Sequence, residues 1–315
     1  MAPELPGSAL PSVSVVIPTT GRSSLRQAVE SALAQVRVRT EVIVVDDRPP
    51  EVETTLELLL ATDHRVKVIR TEGRQGAARA RNLGVKEASS SWVAFLDDDD
   101  TWLPAKLAVQ LAAADGRDDR CVISCRAVSV DARGRRSQPI PLVPYREGEE
   151  LPRWLLYKRR ISARRNAFFT PTLVISRSLL LEHPWAESLR RHQDWDLLIR
   201  LWSLGDVRFL QVADALVEVA VGSEGSISGG ADWESSLDWI LRAPLDDPTL
   251  VADFIAAQPL RYALQDRSWR GVVTTTRAVL RTKRPPSAVG LLLGLSGLAS
   301  RKRFERAMST GRRAG

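Results

Sequence analysis

The chain has 315 residues, is 44% hydrophobic and carries a formal net charge of +7. That length suits one large α/β domain with an extension, or two small domains, and the composition is that of a soluble globular protein. No stretch reaches the ~20 apolar residues a membrane span needs, and two cysteines with three scattered histidines exclude a zinc site.

The N-terminus, Met1 to Ser12, has neither a basic n-region nor a long apolar core, so it reads as a disordered start and not as a signal peptide. Val13 to Ile17 is a β-branched run of the kind a strand buried on both faces requires. Pro18, Thr19, Thr20 and Gly21 supply turn chemistry, and Ser23 or Ser24 is placed to cap a helix running to about Gln35. Glu41 to Val45 is a second buried strand, closed by Asp46 and Asp47. Arg48-Pro49-Pro50 then breaks the chain. A helix is expected over Val52 to Ala61, a strand over Val66 to Ile69, a loop at Gly73 to Gly76, and a helix over Ala77 to Glu87.

The fourth strand, Trp92 to Leu96, runs straight into Asp97, Asp98, Asp99 and Asp100. Four adjacent carboxylates repel one another, and a hard divalent cation would relieve that repulsion. A solvated acidic turn capping a helix near Pro104 is the simpler use of the same residues. Alternation of strands and helices predicts βαβ units and a mostly parallel sheet. The acidic ends of the second and fourth strands then share the sheet edge where ligands bind.

Cys121 and Cys125 lie on a further strand, about Val122 to Val130, too far apart along it for a disulfide, and read as reduced core residues of a cytoplasmic protein. Gln138 to Arg153 reads as a loop. Trp154 to Arg165 reads as a basic helix, either solvated or a lid, and the arginines of Arg153–Arg165 are candidate phosphate clamps. Thr172 to Ile175 is another strand. From Trp195 apolar residues recur at helical spacing, with Asp194 and Asp196 in the first turn, where one serves capping and the other is available as a general base. Short strands follow at Val207 to Leu210 and Leu216 to Val221, then the loop Gly222 to Gly230. From Asp232 the pattern is helical. Its last apolar stretch, Ala288 to Ala299, leads into a basic run from Arg301, which fits either a final packed helix or a peripheral membrane contact.

Several blocks, in order, resemble the family 2 glycosyltransferases, inverting enzymes of the GT-A fold. These are Val15 to Thr19, Glu41 to Asp47, Gly76 to Asn82 with its Ala-Arg-Asn ending, the DXD-like Phe95 to Trp102, and Gln193 to Asp196. The resemblance covers about Val13 to Gly230, leaving 231–315 as a helical extension. It implies transfer of a sugar from a UDP-, GDP- or dTDP-sugar to an acceptor hydroxyl. It further implies nucleotide contacts from Pro18, Thr19, Asp46, Asn82, Asp97 and Asp98, Mn²⁺ or Mg²⁺ held by Asp99, and Asp194 as the base. Asp100 is left as a spacing and capping residue. Two departures stand out: Arg48-Pro49-Pro50 where Gly-Ser is usual, expected to alter loop shape more than chemistry, and Gln193 where Glu is common. The run Asp97-x-Asp99-x-Thr101 also resembles the nucleophile motif of haloacid dehalogenase-type phosphatases, and a non-catalytic binding or assembly protein is a third reading. No nucleic-acid partner is expected, because the basic clusters lack interleaved aromatics.

Overall fold

The computed structural model describes residues 10–52, 63–116, 120–157, 166–222 and 232–298. Its contacts divide the chain into two compact units, one of 1–148, 167–187 and 204–223, the other of 149–166, 188–203 and 224–315. The helical unit is therefore assembled from three stretches of chain, and the segment carrying Asp194 belongs to it.

The first unit is built on an eight-stranded sheet in the order β3-β2-β1-β4-β7-β6-β8-β5. Strand β1 (Ser12–Thr19) lies between β2 (Arg39–Asp46) and β4 (Trp92–Phe95), parallel to both, and β3 (Val66–Arg70) extends the parallel set beyond β2. Val13 to Ile17 and Val42 to Val45 are essentially inaccessible to solvent, as their continuous β-branched runs predict. Helices α1 (Leu25–Leu33) and α2 (Ala77–Glu87) fill the two crossovers that flank β1. Ser24 stands at the N-cap of α1, but its side chain makes no capping bond. Met1 to Ala9 lie outside the described residues, as does most of the helix expected over Val52 to Ala61, and Ser12 already belongs to β1.

Beyond β4 the order changes. The acidic run turns into the two-residue β5 (Thr101–Trp102) and then α3 (Lys106–Ala114). Strand β6 (Cys121–Asp131) carries both cysteines, buried and free. After α4 (Leu151–Leu156), β7 (Val174–Ser176) enters antiparallel to both β4 and β6. Helices α5 (Arg177–Glu182) and α6 (Gln193–Trp202) precede β8. The two short strands expected between Val207 and Val221 are one strand, β8 (Arg208–Val221). It accommodates extra residues by slipping its register against β6 at Cys125–Ala127, where Arg126 Nε donates to the Ala213 carbonyl. The basic helix expected over Trp154 to Arg165 starts earlier, as α4, and 158–165 lie outside the described residues.

The second unit continues with α7 (Trp233–Arg242), α8 (Pro248–Ile255), a π-helical turn at Ala256–Leu260, α9 (Arg261–Gln265), α10 (Trp269–Arg281) and α11 (Ala288–Leu295). Asp232, Asp247, Ser268 and Ser287 cap α7, α8, α10 and α11, each accepting a backbone N–H from the first turn. Among the described residues no helix is long and apolar enough to cross a membrane.

One close approach fixes α2 on the sheet. A Cβ added to Gly84 would lie 2.4 Å from Val16 Cγ1. Gly84→Ala should therefore destabilise the protein by about 1–3 kcal/mol through overpacking, read by urea unfolding. Val16→Ala in the same chain should return part of the loss, whereas equal stability of Gly84→Ala and the parent would disprove this packing.

Candidate active site

The parallel pairing brings three strand ends together at one edge of the first unit. Thr19 of β1 is the register partner of Asp46 of β2, and Asp97 follows β4 on the other side of β1. Pro18 and Thr19 are buried in the last turn of β1. Thr19 Oγ1 donates to Asp98 Oδ2 at 2.6 Å and accepts from the Gly21 amide. Arg22 Nη1 then spans the acidic run, 2.8 Å from Asp98 Oδ1 and 3.1 Å from Asp99 Oδ2. Burial pushes the Asp98 carboxyl up, the Thr19 hydroxyl and Arg22 oppose this, and Asp99 and Asp97 add to it, leaving it above its ordinary value.

Asp97 is paired with Arg81 of α2 at 2.8 Å, and the Arg81 guanidinium sits 4.9 Å from the Trp185 ring centroid. Asp100 has a different partner. Its Oδ1 accepts the Ala220 amide of β8 at 2.9 Å, and burial with the charges of Asp97, Asp99 and Asp98 holds its carboxyl far above the usual carboxylate range. It does not cap the following helix. The N-cap of α3 is Ala105, with no side-chain capping bond, and Asp100 instead ties the acidic turn to β8. The four-residue run thus divides among four different partners.

Asp46 is wholly buried and carries the tightest of these pairings. Arg48 donates to it from the backbone amide (3.0 Å), Nε (2.9 Å) and Nη2 (2.9 Å), and Arg70 Nε lies 3.4 Å away. Burial raises the Asp46 carboxyl, but these hydrogen bonds and charges outweigh it and hold it below its ordinary value. The Arg48 side chain lies across Gly21, where a Cβ would meet Arg48 Cδ at 2.8 Å. The departure at Arg48, expected to alter loop shape more than chemistry, thus also places a guanidinium on Asp46.

The neighbouring Asp47 has a separate task. Its carboxylate accepts the amides of Gln75 and Gly76, both at 2.8 Å, and the Thr71 hydroxyl, so it anchors the loop that opens α2. Asn82 is also committed. Its amide donates to Trp185 O and Glu187 Oε1 and accepts from the Trp185 amide, so it pins the Trp185–Glu187 segment to α2. Motif reasoning singles out Arg48 only as a departure, and Arg22, Arg70 and Arg81 not at all. The arginine content of the turns and of the Ala-Arg-Asn block was visible, but not the carboxylate each one would meet.

In the second unit, Asp194 and Asp196 occupy the first turn of α6, as their spacing predicts. Neither is the N-cap, which is His192 in a left-handed conformation, φ 60°. Asp196 pairs with Arg200 one turn on at 2.7 Å, and Asp194 Oδ1 accepts the Trp195 amide. The His192 ring stacks on Trp195 with centroids 5.0 Å apart, packs against Trp239 and Phe254, and lies 2.8 Å from Ser236 Oγ. Burial first, then the Arg191 charge, push its pKa down to about 3 against the pull of Asp232, so the ring is neutral at physiological pH. Among the arginines expected to clamp phosphate, Arg153 is held by Asp247 at 2.7 Å and stacks on Tyr157. The loop expected at Gly222 to Gly230 lies, beyond its first residue, outside the described residues.

The family model "Glycosyl transferase family 2" matches residues 14–181, more than half of the chain. The amylovoran biosynthesis glycosyltransferase AmsB of Erwinia amylovora is 27% identical over 87% of this chain and 92% of its own. The Escherichia coli UDP-Glc:alpha-D-GlcNAc-diphosphoundecaprenol beta-1,3-glucosyltransferase WfgD is 35% identical over 32% of this chain and 40% of its own. Among solved structures, S. aureus TarS 1-349 in complex with UDP-GlcNAc superposes with a TM-score of 0.61 at 19% identity, covering 96% of this chain and 91% of that one. At that identity the likeness shows the fold, the GT-A arrangement of a mostly parallel sheet flanked by helices with a helical C-terminal part.

Removing the guanidinium as Arg48→Ser leaves the buried Asp46 carboxylate with the residue-48 backbone amide and the more distant Arg70. Urea unfolding should then show a loss on the order of 3 kcal/mol, and Asp46→Asn added to Arg48→Ser should recover part of it. A second measurement concerns His192. Its folded pKa lies below the unfolded value of about 6.5, so its contribution is intact above that pH and lost as pH falls toward the folded value. Between pH 7 and pH 5 the parent should lose about 2 kcal/mol more stability than His192→Gln, and equal losses would show that the ring is not buried neutral.

Proposed function

The chain belongs to glycosyl transferase family 2, and we propose that it moves a sugar from a nucleoside diphosphate to an acceptor hydroxyl with inversion. What supports this most is the meeting of Thr19, Asp46 and Asp97–Asp99 at the carboxyl ends of three neighbouring parallel strands. Membership of the family removes the phosphatase alternative for the Asp97–Thr101 run.

On this reading Pro18, Thr19, Asp46, Asn82, Asp97 and Asp98 belong to the nucleotide side of the site, Asp46 acting jointly with Arg48. Arg22, Arg48 and Arg81 already neutralise the carboxylates, so an entering diphosphate meets guanidinium groups beside the acidic run. UDP is the favoured nucleotide among UDP, GDP and dTDP, because the structural neighbours include TarS with UDP-GlcNAc and with UDP. The relatives' names, from amylovoran biosynthesis to a diphosphoundecaprenol-borne acceptor, favour a saccharide hydroxyl as acceptor in polysaccharide or glycoconjugate assembly. Residues 13–230 would carry this chemistry and 231–315 form the helical extension. The buried free thiols of Cys121 and Cys125 fit a reducing, cytoplasmic setting.

The residues fit a hard divalent cation by donor chemistry. Burial and mutual repulsion raise Asp98, and one cation, Arg22, already bridges Asp98 and Asp99. Among the described residues no three His, Cys, Asp or Glu side chains converge on one point. Asp99 would hold Mn²⁺ or Mg²⁺, in competition with the Arg22 guanidinium. When bound, the ion would supply Lewis-acid stabilisation of the charge on the departing diphosphate. Asp194 would take the proton from the acceptor hydroxyl as that oxygen forms its bond to the anomeric carbon and the bond to the diphosphate breaks. The opposed direction of attack inverts the configuration.

Asp194→Asn should lower the transfer rate by about 10²–10⁴-fold, the span typical of a lost general base. Calorimetric binding of the nucleotide should stay near that of the parent. Retention of most of the transfer rate would remove Asp194 from the role. Asp99→Asn should instead abolish the gain in thermal stability that Mn²⁺ gives with UDP-, GDP- or dTDP-sugars. A parent chain showing no metal-dependent shift with any of them would favour a non-catalytic binding protein.

A further inference from the structure

Helix α11 is built inside out. Gly290 and Gly294 on its inner side, and Gly297 in the 3₁₀ turn Ser296–Leu298 that continues it, recur at helical spacing, and all three are buried. A Cβ at Gly294 would lie 2.5 Å from the Ala256 carbonyl oxygen, and one at Gly297 only 2.3 Å from the Arg261 carbonyl oxygen. At Gly290 the nearest atom is Asp253 Oδ1, at 3.0 Å. The glycine face therefore sits on backbone of the π-helical turn and of α9, at distances no side chain tolerates. Rolling the helix to bury its leucines would drive them into that backbone. Asp253 also accepts the Ser287 amide at the start of the helix, fixing its end.

The leucines consequently face outward. Leu291, Leu292, Leu295 and Leu298 are 43%, 51%, 52% and 69% exposed, and with Ala288 they form one stripe at helical spacing. Four large aliphatic side chains clustered on one short helix are not the scattered exposure of an ordinary surface. The chain around this stripe is basic throughout. From Arg267 to Phe304 there is no Asp or Glu, while Arg281, Lys283 and Arg284 precede the helix and Arg301, Lys302 and Arg303 follow it. Arg281, Lys283 and Arg284 are exposed.

We propose that the leucine face of α11 docks this protein on the surface of an anionic lipid bilayer. An apolar stripe bracketed by cations matches the boundary between acyl chains and acidic headgroups, where leucine enters the hydrocarbon edge and arginine and lysine meet phosphate. A second copy of the chain is the poorer partner, since pairing two such faces about a twofold axis brings like-charged flanks together. The inference stands apart from the transfer chemistry, because none of its residues is assigned to the donor or base.

Sedimentation of the full chain with vesicles tests it. The protein should pellet with phosphatidylglycerol–phosphatidylcholine vesicles and stay in solution with phosphatidylcholine alone, and raised salt should weaken the binding. Leu292→Glu with Leu295→Glu should cut binding by about tenfold or more, with an unchanged thermal melt because both side chains are exposed. Failure of the parent to bind anionic vesicles would overturn the proposal, as would undiminished binding by the double variant. A concentration-dependent dimer that the double variant dissolves, without vesicle binding, would assign the face to self-association instead.

Discussion

The first unit depends on how its carboxylates are neutralised at the carboxyl edge of the sheet. Asp46, Asp97, Asp98, Asp99 and Asp100 all fall at or just past the ends of two strands separated by one. The parallel pairing that buries the β-branched runs forces these charges together. An isolated buried carboxylate costs several kcal/mol, so the fold must answer each one. It does so with arginine at Asp46, Asp97, Asp98 and Asp99, and by favouring the neutral acid at Asp100. The arginines come from four separate places: the turn after β1, the turn after β2, the end of β3 and helix α2. Packing of α2 through Gly84 and anchoring of its first turn by Asp47 therefore also set where Arg81 stands.

On the proposed function, ligand entry at these carboxylates would be an exchange and not a filling. Arg22 occupies the bridging position between Asp98 and Asp99, and Arg48 takes both oxygens of Asp46. A cation or a base edge that uses these carboxylates must displace a guanidinium, which then becomes available to phosphate oxygens. Net affinity in such a site is a difference between two sets of charge-assisted hydrogen bonds.

Much of the first unit was legible because its signals are local. Continuous β-branched runs gave β1 and β2 within a residue or two, and Ala77 to Glu87 matched its helix end for end. The shared edge of Asp46 and Asp97 followed from strand alternation alone. What escaped were facts of partnership. Nothing in Val174–Ser176 signals that it runs antiparallel, because a three-residue strand has no direction of its own and takes the one its neighbours leave open. The two short strands expected at Val207 to Leu210 and Leu216 to Val221 are one, because the slipped register against β6 absorbs the residues between Val212 and Ala215. The block of Asn82 gives no sign that its amide is engaged with Trp185 and Glu187. Sequence spacing assigns an element to a side chain more readily than it assigns a partner.

The glycines of α11 show the same limit from the opposite direction. Glycine weakens a helix, by roughly 0.5–1 kcal/mol relative to alanine, and three within eight residues read as a poor helix. The cost is accepted because only hydrogen fits against the carbonyls of Ala256 and Arg261. Close approach of two backbones recovers dispersion contact along the whole turn. It also fixes the orientation, since a helix held by its small face has no choice about where its large side chains point. Amphipathicity read by hydrophobicity alone would bury the leucines and expose the glycines. Read by size, it gives the reverse, and steric fit prevails here because the clash with backbone cannot relax, whereas exposed leucine merely forgoes burial.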